Sequence, residues 1–132
     1  MRLRISIFGI LLAVVFLLPH AQAAVSRDNF LLRNTGDLTA LCSAGESDPL
    51  ATAARNFCEG FTVGVVRVLQ KVMAAEAPRP AMFCLPAQGP TRSAGIASFV
   101  RWANAEPGRL ALPAEDGLAT FLKVQFPCPP GK

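Results

Sequence analysis

The sequence predicts an all-α fold: a small single-domain bundle of about four helices stapled by two disulfides. Apolar residues recur at helical spacing in four segments, and no stretch alternates with period two for long. Proline, threonine and acidic residues stand where helices open and close. Four cysteines, an even number, follow an apparent export leader, and exported thiols are usually oxidised in pairs.

The leader is "MRLRISIFGILLAVVFLLPHAQA". Arg2 and Arg4 precede an uncharged run of 14 residues, Ile5 to Leu18, which Pro19 ends. Ala21 and Ala23 supply the small residues that a signal peptidase reads. The expectation is a signal peptide over residues 1–23 and a helical domain over 24–132. The run falls short of the roughly 20 residues a membrane span needs, so no stable membrane insertion is expected after cleavage.

Removing the leader changes the charge. Arg2 and Arg4 are lost, which leaves 11 basic residues against 9 acidic ones, a net charge of +2. The remaining basic residues are scattered singly, without a run that could track a phosphate backbone, so no nucleic-acid partner is expected. The only histidine, His20, lies in the leader, and the chain has no tyrosine. Ser-His-Asp and Cys-His catalysis and histidine metal sites are thereby excluded from the mature chain. No carboxylates are paired suggestively. The sequence points to no enzyme, no metal and no cofactor.

Val25 to Asn34 is a mixed lead-in. Thr35 reads as an N-cap with Asp37 in the first turn, followed by Leu38, Leu41 and Cys42 at helical spacing. "SAGES", Ser43 to Ser47, breaks this first helix. Asp48-Pro49 opens the second, with proline at its first position, and the pattern runs to about Glu76. On a helical wheel Ala54, Phe57, Phe61, Val65, Val68 and Val72 share one face. Cys58 falls on one flank of that face, and Gly60 and Gly64 on the other. Two glycines four apart allow another backbone close, at about 1 kcal/mol each in helix propensity. Their first use is packing a neighbouring helix within the domain. The alternative is contact with a second copy, a homodimer.

"APRPAMFCLPAQGP" is a proline-rich loop. Thr91 caps a third helix with Ile96, Phe99, Val100 and Ala103 inside and Trp102 at the edge, and Glu106-Pro107-Gly108 ends it. Pro113 opens a fourth, with Glu115 and Asp116 at its positive end. Leu118, Phe121, Leu122 and Gln125 mark its inner face, and Pro127 stops it.

The cysteines are Cys42, Cys58, Cys84 and Cys128, at gaps of 16, 26 and 44 residues. No close pair suggests zinc or a dithiol redox motif. Four cysteines allow three pairings, and sequence does not choose among them. The preferred expectation is Cys42–Cys58, tying two consecutive helices, and Cys84–Cys128, pinning the C-terminal end to the loop. On the loop-entropy account these stabilise by roughly 3 and 4 kcal/mol.

The order "LTALC", "FCEGFTVGVV", "FCLP", "PGRLALPAEDGLATFL" and "FPC" resembles the Rap/Tai family of immunity proteins, which guard bacteria against type VI secretion amidase effectors. The resemblance covers about Leu38 to Cys128, and the joint order of the motifs carries it. Cys42, Cys58, Cys84 and Cys128 match the family's cysteines, Gly60 and Gly64 its second-helix glycines, and Phe126 and Pro127 its closing motif. These are scaffold positions. The resemblance implies a small, disulfide-bonded, periplasmic protein that is not an enzyme and that binds a peptidoglycan amidase effector, blocking its cleft. Family members often carry a histidine before the proline that ends the third helix; here Glu106 stands there, which puts the partner in question.

The stiff loop after Cys84 is the candidate contact, through Leu85, Pro86, Gln88 and Pro90, because a pre-ordered loop loses less entropy on docking. "SAGES" is the second candidate. The rival reading is a small periplasmic helical chaperone or envelope-stress protein. Such proteins tend to be strongly charged, and the modest 17% of charged residues counts against it.

Overall fold

The computed structural model describes residues 24–76 and 78–130; the expected leader, residues 1–23, lies outside them. A 3-10 turn, Arg27–Leu31, is followed by five α-helices: α1 Thr35–Cys42, α2 Ala51–Ala75, α3 Arg92–Asn104, α4 Pro107–Leu110 and α5 Ala114–Gln125. No strand occurs among the described residues. The four expected helices are present, and the all-α class holds.

The shortest of those four is the centre of the bundle. α1 packs against the 3-10 turn and every other helix. Leu38, Leu41 and the polar Thr35 are fully buried, and Asp37 and Thr39 are nearly so. A helix surrounded on all sides cannot be amphipathic, so its polar groups must find partners inside. The Thr35 amide donates to the Leu112 carbonyl at 2.7 Å, and its hydroxyl lies 3.1 and 3.2 Å from the carbonyls of Leu112 and Pro113. The Thr39 hydroxyl donates to the Gly36 carbonyl at 2.9 Å. The N-cap is Asn34 rather than Thr35: Asn34 Oδ1 accepts from the Asp37 amide at 2.9 Å, which frees the Thr35 hydroxyl for the link to the segment before α5.

Asp37 ties α1 to the chain before it. Its carboxylate accepts from Asn29 Nδ2 at 3.0 Å, from the Arg33 amide at 3.0 Å and from Arg33 Nε at 3.3 Å. Burial alone raises the pKa of this carboxyl, but the hydrogen bonds from Asn29 and Arg33 and the Arg33 charge outweigh it, so the pKa is lowered. Leu32, between the turn and α1, adopts a left-handed conformation (φ 49°) and packs against both apolar clusters. A Leu there costs roughly 1–2 kcal/mol.

One cluster joins Leu38, Phe83, Phe99, Ala114, Leu118, Phe121 and Leu122. Phe121 sits edge-on to Phe99 at 5.6 Å and to Phe126 at 6.4 Å, and Trp102 lies 5.8 Å from it. The smaller cluster is Val25, Leu41, Ala54 and Cys58. The disulfides are Cys42–Cys58 and Cys84–Cys128, the preferred pairing.

Several boundaries differ from the sequence reading. α2 begins at Ala51, not at Pro49, because the Asp48 carboxylate is taken by the amides of Val25 and Leu50, each at 2.7 Å. That holds Asp48-Pro49 in a turn. Glu106-Pro107-Gly108 does more than end α3. It starts the short helix α4, whose first position accepts proline without losing a hydrogen bond. There Arg109 pairs with Glu106, donates to the Trp102 carbonyl at 2.7 Å and covers the Trp102 ring at 4.5 Å.

Expected outcomes for two substitutions follow from the seating of α1. A Cβ at Gly117 of α5 would overlap Thr35 Oγ1 and lie 3.0 Å from its Cβ and Cγ2. Gly117→Ala therefore destabilises by about 1–3 kcal/mol despite its better helix propensity. Combined with Thr35→Ala it costs less than the sum of the two single changes; additive losses in urea unfolding would contradict the contact. For Asp37, a lowered folded-state pKa adds stability at pH above the unfolded-state value, and that stability is lost as pH falls through the folded value. Asp37→Asn is thus less stable than the parent at neutral pH, and the gap narrows below about pH 4. Urea melts at stepped pH would show a constant gap if the carboxylate charge were not the stabilising element.

Candidate partner-binding surfaces

α2 has 25 residues, against 13 in α3 and 12 in α5. Its neighbours are too short to cover it, and two of its faces stay open. The disulfide to α1 draws the Cys58 flank inward, so the buried strip is Ala51, Ala54, Cys58 and Thr62. The Thr62 hydroxyl is satisfied by the Cys58 carbonyl at 2.9 Å. The apolar face read from the helical wheel is only half covered: Ala54 is buried and Phe61 and Val65 pack against the core, whereas Phe57, Val68 and Val72 are exposed, at 38%, 62% and 44%.

The expectation that Gly60 and Gly64 receive a neighbouring helix within the domain is not met. A Cβ added at either glycine meets nothing within 4 Å. They lie instead in an open groove of about 670 Å³ between Phe57, Phe61, Val65 and Val68, with Glu115 of α5 as its one charged group.

The second open face is built with the loop before α3. Phe83 is buried in the core, the Cys84 amide donates to the Phe126 carbonyl at 2.8 Å, and Cys84 is bonded to Cys128. At the far end the Thr91 hydroxyl accepts from the Ala94 amide at 3.3 Å, the cap expected there. Between these anchors residues 85–90 are exposed. Leu85, Pro86 and Pro90 form one wall of a groove of about 470 Å³, closed by α2, α3 and α5. Gln88 does not line it. "SAGES" joins α1 to α2, and none of its residues lines either groove.

Arg67 and Gln70 of α2 and Arg92 of α3 stand on the groove wall opposite or beside the loop. On the helical wheel of α2, Arg67 and Gln70 fall largely opposite the apolar face. Their i, i+3 spacing was a visible signal, but that side meets the proline-rich loop only in the folded bundle. Among the described residues no three histidine, cysteine or acidic side chains gather as a metal site. No helix there is long and apolar enough to cross a membrane. The chemistry on offer is that of docking: apolar walls, guanidinium groups and a pre-ordered loop.

No curated protein and no solved structure matches the chain. The family model of the Rap1a immunity proteins matches residues 34–128. That interval opens at Asn34, the cap of α1, closes at Cys128, the partner of Cys84, and takes in the five α-helices of the described residues and both disulfides. The chain therefore belongs to the Rap1a immunity protein family.

Proposed function

We propose that this member of the family acts in the periplasm, after loss of residues 1–23, and protects its cell by binding a type VI peptidoglycan amidase effector and blocking the cleft. Membership of the family implies the coarser role, immunity to a type VI effector. The observation that carries the finer reading is the loop from Leu85 to Pro90. It is exposed, stiffened by Pro86 and Pro90, and held at both ends by the Cys84–Cys128 bond and the Thr91 cap. Such a loop enters a cleft with little entropy left to lose. The action is binding without catalysis: the mature chain has no histidine to serve as a base near neutral pH.

The test is protection. Cells expressing the full chain survive a type VI amidase directed to their periplasm, and cells expressing residues 24–132 without the leader do not. Replacing Pro86 and Pro90 by glycine weakens the purified complex about tenfold, through the added freedom of the loop. Neither survival nor a complex with any such amidase would refute the reading.

Two copies of the chain associate, in the same proposal, across the Gly60 and Gly64 groove. The two glycines let a second α2 approach closely, and the groove is otherwise almost wholly apolar. Sedimentation of the purified protein gives a dimer, and Val68→Asp, an exposed position, gives a monomer with unchanged helical circular dichroism. A parent protein that stays monomeric at the highest concentration reached would eliminate the dimer.

A further inference from the structure

We propose that the groove between α2, the 85–91 loop, α3 and α5 is a binding site for a small amphipathic anion, with an apolar body and a single carboxylate head. This inference does not rest on the immunity reading.

The floor of the groove is the core itself. Phe99, Phe121 and Leu122 line it, and each is less than 5% exposed. A volume of about 470 Å³ lies within the roughly 300–1,000 Å³ of sites that hold small molecules. The walls are pre-formed: the loop side is tied by Cys84–Cys128 and stiffened by Pro86 and Pro90. A ligand therefore finds the site built rather than ordering it on entry.

The charge on the walls has one sign. Arg67 and Arg92 line the groove, with Gln70 as a neutral donor, and no carboxylate does. Glu59 sits 3.2 Å from Arg92 and offsets part of its charge. Arg67 makes no ion pair among the described residues and is the group left to meet a carboxylate. α3 starts at Arg92, so the positive end of its dipole adds to the same side. The apolar groove along Gly60 and Gly64 differs on this count, since its charged group is the carboxylate of Glu115. An anion with an apolar tail suits the first groove and not the second.

The chain has a single tryptophan, and Trp102 lies 6.3 Å from Phe99 and 5.8 Å from Phe121, directly behind the floor. Its emission reports on occupancy. The folded, disulfide-bonded protein is titrated with decanoate below its micelle-forming concentration, and with decylamine of equal chain length as the cationic comparator. Decanoate gives a saturable change in emission, and decylamine binds more weakly. Arg67→Ala weakens decanoate about threefold or more. Gly95→Leu abolishes binding: Gly95 lines the groove and a Cβ there meets nothing within 4 Å, so the new side chain starts in open space and occupies part of the groove. Its thermal melt confirms the fold. Should Gly95→Leu not fold, Arg67→Glu, an exposed change, tests the charge by itself and weakens decanoate more than Arg67→Ala does. No saturable response, an equal affinity for decylamine, or decanoate binding unchanged in both the Gly95 and Arg67 variants would each overturn the proposal.

Discussion

The rest of the structure depends on how the N-terminal end of α1 is seated. Thr35 is fully buried, and its amide and hydroxyl both turn to the carbonyls that precede α5. Gly117 makes this possible, because only the absence of a side chain lets the first turn of α5 lie against Thr35. An eight-residue helix has little stability of its own. α1 holds its shape because each buried polar group on it is spoken for: Asn34 caps it, Asp37 gathers Asn29 and Arg33, and Thr39 returns to its own backbone. Around this plug the longer helices assemble, and Cys42–Cys58 fixes the angle at which α2 leaves it.

That arrangement explains which parts of the fold were legible in the sequence. α3 and α5 each bury one face, and the helical period reports a one-sided face directly: Phe99, Ala103, Leu118, Phe121 and Leu122 are buried as their spacing predicts, although Gln125, expected on the inner face of α5, is exposed at its last turn. The Thr91 cap and the stop before α4 were also readable, and of the three pairings the cysteines left open the preferred one is the one formed. α1 was legible as a helix but not as the hub, since a helix covered on every side has no contrast between faces to read. The 3-10 turn and α4 went unnoticed because their signals, a short polar run and Pro-Gly, are the same ones that mark loops.

The rotation of α2 is the most instructive difference. The wheel showed an apolar face bounded by Cys58 on one flank and two glycines on the other, and periodicity alone favoured burying the middle of it. The covalent bond to α1 shifts the buried strip toward the Cys58 flank, so that Ala54, Phe61 and Val65 still face the core while Phe57, Val68 and the glycines stay outside. Of the candidate contact residues, Leu85, Pro86 and Pro90 come together on one groove wall, while Gln88 stays apart. Sequence identified the loop because proline and cysteine mark stiffness and anchorage locally. Arg92 follows the loop directly in the chain, but Arg67 and Gln70 could not be identified as its neighbours, because α2 and the loop meet only in the folded bundle.

A core this small ordinarily covers its longest helix, and here it does not. α2 is about twice the length of α3 or α5, and its exposed faces carry valine and phenylalanine that a bundle of equal helices would have buried. Leaving apolar surface in water forgoes stabilisation of about 25 cal/mol for each Å². Two disulfides, each constraining the unfolded chain by a few kcal/mol, are large enough to offset a deficit of that kind in a domain of this size. The covalent links thus do more than lock a finished core. They allow the helix faces and the proline-rich loop to remain open, with the positive groove and the apolar groove both built on α2. In a member of the Rap1a immunity protein family, surface withheld from the core is surface open to the partner proposed above.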